Sequence, residues 1–503
     1  MKEKTIKIIE ISMFICLSLF MIFAQGNHVL WLDELDWSIG IVDNGNLIEV
    51  YNRVLGTGEN LPLFYILLFF LRSVFKITNI WVLTLLTATI FTIFGIIGIY
   101  KIINSFFDKK NSIVSSFLIF TSYPIISMCA WQFRPYGMLL CFSVWTLYFY
   151  LKRIKEENWK NIILYAVFMI LLMNSHWYGV LMSVIYAFID LILFLKKKIS
   201  IKCIVSYLAA LIIFLPSFIK LLLLHRGDIG TYGVEYLNLG MLIIVLAFVS
   251  GEQLSYLLVF LLAVLLAFIR IIRKKENLYF NIIYISSILL IIVTCVYSIL
   301  NKNGGIVRGR YFAVIIPHAI IIMSWFIKGI IEKTHKNPYV WPTILVFTIL
   351  FAIYGVCKCY YFSVIKPNYY DPGYYQSASE YLQKQEDIYD DDTVIICSYG
   401  KTWVYQYWIE ENKKLPSNII VVDPLKYPNQ MDMAEQSIDK FEYVVKDGKL
   451  VDGKKVNDFD KYNTIYYLEQ YRRIEDRWKE NIQIKFDLIY ENKDIGLEKY
   501  CEK

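Results

Sequence analysis

Carboxylates and tryptophans are concentrated in residues 31–38, directly after the first long apolar run of the chain. The segment reads Trp-Leu-Asp-Glu-Leu-Asp-Trp-Ser, so Asp33 and Glu34 lie between two tryptophans. A carboxylate inside a bilayer costs about 2.5–3.5 kcal/mol, and tryptophan is enriched at the headgroup level. These acids are therefore expected at the membrane interface or in a wet cavity. A carboxylate there could act as general base on an acceptor hydroxyl, or Asp33 could cap an interfacial helix.

Arginines paired with tyrosines precede two later apolar runs. Arg308 and Arg310 lead into Tyr311, and Arg134 stands two residues before Tyr136. A guanidinium binds phosphate through two parallel hydrogen bonds, which makes these arginines candidate phosphate ligands. The alternative is that each arginine is an anchor whose head group reaches the membrane surface.

Three further polar residues interrupt apolar sequence. His176 separates two apolar runs, and Glu59 and Asn60 stand just before Pro62. They would either contact a substrate or act structurally, His176 as a buried side chain and the other two as a helix cap. The sequence has no His-x-x-x-His, Cys-x-x-Cys or Gly-x-Ser-x-Gly pattern. Metalloprotease, redox and serine-hydrolase activities therefore have no support from motifs.

The composition requires a membrane. Hydrophobic residues make up 57% of the 503 residues and aromatic residues 17%, whereas soluble domains average about 45–50% apolar residues. Apolar runs long enough to span a bilayer recur up to about residue 361. The net charge of +7 then reports the orientation of loops rather than nucleic-acid binding. We expect a multi-pass α-helical protein of a plasma membrane, with a bacterial organisation.

Lysine-rich loops set the predicted topology. Such loops follow residues 100, 151, 195, 270 and 331, and we place them in the cytoplasm together with the N-terminus. Every polar cluster named above then falls on the outer face, which predicts one outward-facing site. The eleven predicted spans are about 8–25, 79–101, 112–130, 137–151, 160–175, 177–195, 201–222, 253–270, 278–300, 311–331 and 341–361.

Two apolar helices are left over by this topology, at 61–75 and 239–251. Counting either as a span would move the later lysine-rich loops to the outer face. We therefore predict that both are juxtamembrane or half-inserted helices. Residues 26–78 then form one long outer loop that carries the acidic segment.

The composition becomes polar after the membrane region 1–366, so residues 367–503 are predicted to form a separate domain. Its pattern of strands and a helix favours a small extracytoplasmic α/β domain. Cys397 and Cys501 lie in it and could pair. The predicted elements are strands at 393–397 and 418–422, a helix at 400–411, a hairpin at 441–456 and strand-like sequence at 482–500.

In order and spacing, the polar clusters resemble those of the GT-C membrane glycosyltransferases. The branch most similar holds the bacterial protein O-mannosyltransferase-like and aminoarabinose-transferase-like enzymes. That family usually has His where this chain has Asn60, and Pro where it has Leu61. The resemblance covers roughly residues 1–361 and rests on Asp33-Glu34, Asn60-Leu61-Pro62-Leu63-Phe64-Tyr65, Arg134-Pro135-Tyr136, His176-Trp177-Tyr178-Gly179 and Arg310-Tyr311.

The resemblance implies a hexosyl- or pentosyltransferase that takes its sugar from a polyprenyl phosphate. Asp33 matches the expected general base, with Glu34 beside it, and Arg310 would hold the lipid phosphate with Arg134 and Arg308. Transfer would invert the anomeric carbon and would occur outside the cytoplasm. The substrate-binding residues would be Tyr136, His176, Tyr311, Glu59 and Asn60.

The partners implied by the resemblance are the lipid-linked sugar, membrane lipid and an acceptor that is a glycan, a lipid or a protein. No cofactor is predicted. Some relatives need a divalent cation and others do not, and with only Asp33, Glu34 and Glu59 available none is predicted for this chain.

Two other functions remain open from the sequence. A transporter or flippase for lipid-linked saccharides would need polar or charged residues in mid-span, and the predicted spans are nearly free of charge there. A non-catalytic membrane protein would present residues 367–503 outside the cell. Only a glycosyltransferase should lose sugar transfer on Asp33→Asn.

Overall fold

The computed structural model divides the chain into two compact units. The first comprises Met1–His28 and Asn44–Ile365, and the second comprises Val29–Asp43 and Lys366–Lys503. The residues that the structure describes are 3–25, 38, 40–42, 46–56, 61–77, 79–107, 110–224, 237–300, 307–334, 346, 350, 353–355, 357–358, 361, 378, 381–398, 419–422, 443–446, 449–452, 462–468, 486–492 and 497–502.

Helices form nearly all of the described part of the first unit, as the apolar runs predict. They are α1 (Glu3–Ala24), α2 (Leu47–Gly56), α3 (Pro62–Phe69, continued by a π-helix Phe70–Val74), α4 (Ile80–Thr84, continued by a π-helix Leu85–Thr89), α5 (Ile90–Phe106), α6 (Lys110–Phe120), a π-helix (Pro124–Ala130), α7 (Tyr136–Lys155), α8 (Trp159–Ser175), α9 (Trp177–Leu195), α10 (Ile201–Leu224), α11 (Leu239–Ser250), α12 (Leu254–Ile272), α13 (Leu278–Leu300), a 3₁₀ helix (Gly309–Ile315) and α14 (Ile316–Thr334).

The lengths and composition of these helices identify a multi-pass membrane protein. Among the described residues, six helical stretches are long and apolar enough to cross a bilayer. The total of eleven spans and their orientation stay predictions, and most of the predicted span 341–361 lies outside the described residues. The six stretches are Ile80–Phe106, Trp177–Leu195, Ile201–Leu223, Leu254–Ile272, Leu278–Leu300 and Gly309–Lys333, and the shorter apolar helices are Glu10–Ala24, Pro62–Val74, Trp159–Ser175 and Leu239–Ser250.

The predicted span 112–130 is not one continuous helix in the structure but two helical segments. The α-helix α6 ends at Phe120, and the chain resumes as a π-helix at Pro124. Proline lacks a backbone N–H and restricts the residue before it, so it interrupts an α-helix. The Thr121 hydroxyl also donates a hydrogen bond to the Phe117 carbonyl at 2.8 Å, which satisfies a carbonyl near the end of α6.

Helix α2 lies within the predicted outer loop 26–78 and was not expected from the apolar pattern. Asn46 begins it: the side-chain oxygen accepts from Glu49 N–H at 3.1 Å, and the Glu49 carboxylate accepts from Asn46 N–H at 3.2 Å. This reciprocal pair is a capping box. The Tyr51 hydroxyl lies 2.8 Å from Ser217 Oγ on α10, which attaches α2 to that helix. The residues of α2 that face inward are Val50, Val54 and Leu55.

A buried ion pair joins α7, α9 and α10. Arg153 pairs with Asp190, and neither side chain is accessible to solvent. Tyr150 and Tyr207 donate hydrogen bonds to the Asp190 carboxylate at 2.8 Å and 2.9 Å. We call these residues and their partners the Arg153–Asp190 network. The other partners of the guanidinium are the Cys203 carbonyl at 2.9 Å, Ser206 Oγ at 3.3 Å and the Tyr165 ring, whose centroid lies 3.7 Å away.

The described part of the second unit is organised by a seven-stranded sheet with the order β4-β3-β2-β1-β5-β7-β6. Strand β1 pairs in parallel with β2 and β5, and the outer pairs are antiparallel. The predicted strands at 393–397 and 418–422 and the hairpin at 441–456 are confirmed, whereas β5 was missed and the helix at 400–411 lies outside the described residues. The strands are β1 (Thr393–Ser398), β2 (Ile419–Val422), β3 (Tyr443–Lys446), β4 (Lys449–Asp452), β5 (Thr464–Leu468), β6 (Phe486–Asn492) and β7 (Leu497–Glu502).

The register of the sheet excludes a disulfide between Cys397 and Cys501. Cys397 pairs with Leu468 on β5, and Cys501 pairs with Thr464 on the same strand. The two cysteines are therefore two strand spacings and four residues apart, roughly 16 Å by strand geometry, and a disulfide requires Cα atoms within about 7 Å. Cys501 is a free thiol.

Candidate active site

Three segments of the first unit bring predicted site residues together. Tyr136 begins α7, His176 forms the turn between α8 and α9, and Tyr311 lies in the 3₁₀ helix. The ring centroid of His176 lies 6.0 Å from that of Tyr136 and 5.0 Å from that of Tyr311. The two tyrosine rings are 6.4 Å apart. Residues that are distant in the sequence therefore form one cluster.

Gly137, the residue after Tyr136, and Gly179, three residues after His176, allow the segments to approach closely. A Cβ on Gly137 would lie 2.6 Å from the carbonyl oxygens of Ala88 and Cys129. A Cβ on Gly179 would lie 2.2 Å from the Leu172 carbonyl oxygen. A side chain at either position would push backbone segments apart, so these glycines fix where Tyr136 and His176 lie.

Two of the three predicted phosphate ligands lie beside the cluster. Arg134 is buried, and Arg310 is half-buried with its guanidinium carbon 5.7 Å from the Tyr311 ring centroid. Both guanidinium charges act on His176 and, after burial itself, are the causes that lower its pKa. The two cations favour an anion as the ligand of this cluster. Arg308 is exposed at the start of the 3₁₀ helix.

His176 is held as a neutral hydrogen-bond donor. Its Nδ1 accepts from the backbone N–H of Tyr178 at 3.2 Å, which caps α9. Burial, Arg134 and Arg310 lower the pKa of His176 to about 3, so the ring is neutral at physiological pH. A neutral imidazole carries one N–H, and because Nδ1 accepts, Nε2 must carry the proton. His176 therefore carries an N–H donor in the neighbourhood of two arginines.

Two aromatic residues that were not predicted as site residues extend the cluster. The Tyr178 ring lies 5.6 Å from the Tyr311 ring and 5.0 Å from the Phe312 ring, measured between centroids. Tyr178 follows His176 in a short polar motif, which was a usable signal, whereas Phe312 belongs to an apolar run and gave none. We call Tyr136, His176, Tyr178, Tyr311, Arg134 and Arg310 the arginine–aromatic cluster.

Four predicted site residues, Asp33, Glu34, Glu59 and Asn60, lie outside the described residues. Their roles stay predictions from the sequence. Within the described ranges, no group of three or more His, Cys, Asp or Glu side chains is arranged to hold a metal ion.

Comparisons with known proteins give a family-model match over part of the chain and a shared fold. Residues 62–223 match the family model described as dolichyl-phosphate-mannose-protein mannosyltransferase. A search of curated proteins finds no match. The structure of ArnT from Cupriavidus metallidurans bound to undecaprenyl phosphate is similar with a TM-score of 0.57, at 9% identity, over 97% of each chain.

Two further solved structures are similar to this chain. ArnT from Cupriavidus metallidurans in the apo state has a TM-score of 0.55, at 10% identity, over 97% of each chain. The archaeal oligosaccharyltransferase AglB from Archaeoglobus fulgidus, in complex with an inhibitory peptide and a dolichol-phosphate, has a TM-score of 0.45 at 14% identity. That likeness covers 80% of this chain and 63% of AglB.

At these identities the likeness to ArnT establishes a shared fold that extends over nearly the whole chain. The family-model match adds that residues 62–223, which lie in the first unit, are similar to that family of mannosyltransferases. The family resemblance noted in the sequence is confirmed.

Proposed function

We propose that this protein transfers a sugar from a polyprenyl phosphate to an acceptor hydroxyl on the outer face of the membrane. The observation that carries the proposal is the arginine–aromatic cluster. Arg134 and Arg310 lie near enough to act on a neutral histidine that carries an N–H group. The cluster includes Tyr136, the first residue of α7, and so lies at an end of that helix rather than its middle. A lipid phosphate is an anion that lies at the membrane surface, where the ends of spanning helices lie.

The cluster suits a phosphate that becomes a leaving group. When the bond between the anomeric carbon and the phosphate oxygen breaks, negative charge grows on the phosphate. Fixed donors that already point at this charge stabilise the transition state, and removing one such donor typically costs about 10²–10³ in rate. Arg310 and Arg134 would supply the charge, and the Nε2–H of His176 would supply a neutral hydrogen bond.

The reaction needs a base as well as a stabilised leaving group. The acceptor oxygen forms the new bond to the anomeric carbon, the bond to the phosphate oxygen breaks, and its electron pair stays on the phosphate. Asp33 takes the acceptor proton, and Glu34, the next residue in the sequence, is a second carboxylate. Attack from the face opposite the phosphate inverts the anomeric carbon. The assignment of Asp33 and Glu34 rests on their position in the sequence and on the family resemblance.

The remaining predicted residues would contact the two substrates. Tyr136 and Tyr311 present aromatic rings on which a sugar or the first isoprene units can pack. Glu59 and Asn60 would supply polar groups to the sugar, and the exposed Arg308 a more distant positive charge. The acceptor is a glycan, a lipid or a protein hydroxyl, and the lysine pattern supports a reaction outside the cytoplasm.

The test is turnover by the purified protein in lipid nanodiscs with a panel of polyprenyl-phosphate sugars that carry radiolabelled hexoses or pentoses. Wild type should release or transfer the sugar. Asp33→Asn should abolish turnover and Arg310→Ala should lower it about 10²–10³-fold. Arg273→Ala, in a lysine- and arginine-rich turn after α12, should leave turnover unchanged. Lipid flipping without sugar transfer would contradict the proposal and favour a transporter.

A further inference from the structure

The turn between α11 and α12 has an unusual backbone. Gly251 has φ +117° and Glu252 has φ +63°, so two consecutive residues are left-handed. Gly251 ends α11, as glycine commonly does, and Glu252 N–H donates to the Ala247 carbonyl at 2.6 Å. A left-handed glutamate is uncommon. This backbone conformation sets the direction in which the Glu252 side chain leaves the turn.

Two side-chain acceptors in this turn have no hydrogen-bond donor among the described residues. They are Glu252 Oε2 and Gln253 Oε1, and both atoms are buried. Gln253 is only 7% exposed, and its Nε2 donates to the Thr121 carbonyl at 3.2 Å. That bond orients the amide, so Oε1 points away from Thr121. A buried acceptor without a donor is costly and calls for an explanation, which a ligand with donor groups provides.

The positive charge of Lys358 bears on which ligand suits these acceptors. Lys358 Nζ donates to the Glu252 carbonyl at 3.2 Å and lies 5.0 Å from the Tyr123 ring centroid. Burial raises the pKa of Glu252, and the Lys358 charge opposes that rise. A nearby ammonium repels a metal ion or a cationic amine. Neutral hydroxyl groups can donate to both acceptors without that repulsion.

The turn is tied to the element that carries Arg310. A Cβ on Gly309, the residue before Arg310, would lie 3.0 Å from Cβ of Phe248 on α11. Phe248 stands three residues before Gly251, less than one helical turn. The close packing of α11 on the 3₁₀ helix therefore fixes the Glu252–Gln253 turn relative to the arginine–aromatic cluster.

We propose that Glu252 and Gln253 form a subsite that binds hydroxyl groups of a neutral sugar. The subsite deepens the proposed function and rests on it, because the sugar belongs either to the polyprenyl-phosphate donor or to a glycan acceptor. Neither residue belongs to the sequence motifs of the family resemblance.

The experiment measures saturation-transfer NMR of neutral methyl hexosides and pentosides with protein in lipid nanodiscs, free of sugar-based detergents. Wild type should bind at least one glycoside, Glu252→Leu should lose the signal at least 10-fold, and Glu252→Gln should lose less because it keeps an acceptor oxygen. The matched control is Glu332→Leu, since Glu332 lies in α14 near Lys328 and should not matter. Glu252→Leu should melt no lower than wild type, because its carboxylate makes no hydrogen bond in the described structure.

Three results would overturn the subsite. They are binding by wild type that neither Glu252 variant changes, no binding of any glycoside by wild type, and a preference of 10-fold or more for an amino-sugar glycoside. Wild type could fail to turn over any donor and still bind a glycoside in a way that depends on Glu252. That result would reject the proposed function but would support the subsite. With an active donor, a raised KM for that donor in Glu252→Leu assigns the subsite to the donor sugar, and a raised KM for the acceptor assigns it to the acceptor.

Discussion

Two clusters of arginine and tyrosine lie at the two ends of α7, and they differ in how charge is arranged. Arg153 lies near one end and Tyr136 at the other, about 26 Å apart by the rise of an α-helix. Arg153 is matched by a carboxylate, and its terminal nitrogens donate to four protein acceptors. At the other end, Arg134 and Arg310 add two positive charges around a neutral His176.

The difference suggests a way to separate a structural arginine from a candidate substrate-binding arginine. A buried guanidinium is expensive unless it is paired and hydrogen-bonded. In the Arg153–Asp190 network the compensation comes from the protein itself and joins three helices. In the arginine–aromatic cluster two like charges lie near one neutral histidine, an arrangement that suits an anionic ligand. The sequence alone presents both as arginines near the ends of apolar runs.

Breaking the Arg153–Asp190 network should have the largest effect, and that effect should be on stability. Asp190→Ala leaves Arg153 buried without its carboxylate, which costs about 3–5 kcal/mol in comparable pairs. Thermal unfolding in nanodiscs should therefore begin at a clearly lower temperature, while turnover per folded molecule stays close to wild type. An unchanged melting temperature would show that the pair contributes little. Arg153→Met combined with Asp190→Leu should recover much of the lost stability.

Removing Arg310 should give the opposite result. Arg310→Ala is expected to lower turnover of the lipid-linked sugar by about 10²–10³-fold, because one fixed donor to the leaving phosphate is lost. Its melting temperature should stay near that of wild type, since the side chain is only half-buried. Arg310→Lys should recover part of the rate through charge alone. Full activity with Arg310→Ala would remove the arginine from the phosphate site.

The position of His176 can be shifted without touching its side chain. Gly179→Ala places a Cβ 2.2 Å from the Leu172 carbonyl oxygen, and such overpacking typically costs about 1–3 kcal/mol. We expect lower stability together with lower turnover, because the turn that carries His176 must move. The matched control is Gly329→Ala on α14, where a Cβ meets nothing within 4 Å. Equal behaviour of the two variants would contradict the packing role of Gly179.

The smallest expected effect concerns the pH dependence of turnover, in which His176 should cause no inflection. Because the folded pKa of His176 is about 3 and the unfolded value is about 6.5, the ring stays neutral in the folded protein between pH 5 and 8. Turnover should show no inflection from His176 in that range. The stability that His176 contributes is complete above pH 6.5 and falls as pH drops toward 3. An inflection near pH 6.5 that disappears in His176→Asn would refute the neutral donor.

The sequence predicted the membrane helices well because their signal is length and apolarity. The described helices between residues 136 and 300 end within about four residues of the predicted spans and of the extra apolar helix 239–251. Helix α2 was missed because it is amphipathic and lies in a polar loop, where its cap at Asn46 was the available signal. Strand β5 was missed because it has only five residues, Thr464–Leu468, although Ile and Tyr favour strands. Its two neighbours in the sheet are set by tertiary pairing.

The candidate site was only partly predictable, for a physical reason. Tyr136, His176, Tyr311 and their arginines stand at the ends of apolar runs, so their shared membrane face predicted that they would meet. Glu252 and Gln253 also stand between two apolar helices, but nothing local shows that their acceptors are buried without donors. That property depends on Thr121 and Lys358, which come from distant parts of the chain.

Binding of undecaprenyl phosphate tests the central claim most directly. Affinities of wild type and Arg310→Ala in nanodiscs would be measured for this lipid and for the polyprenol that lacks the phosphate. We predict that wild type binds the phosphate form at least 10-fold more tightly than the alcohol, and that Arg310→Ala loses most of this preference. An equal preference in both proteins, or none in wild type, would contradict the claim that the arginine–aromatic cluster holds the lipid phosphate.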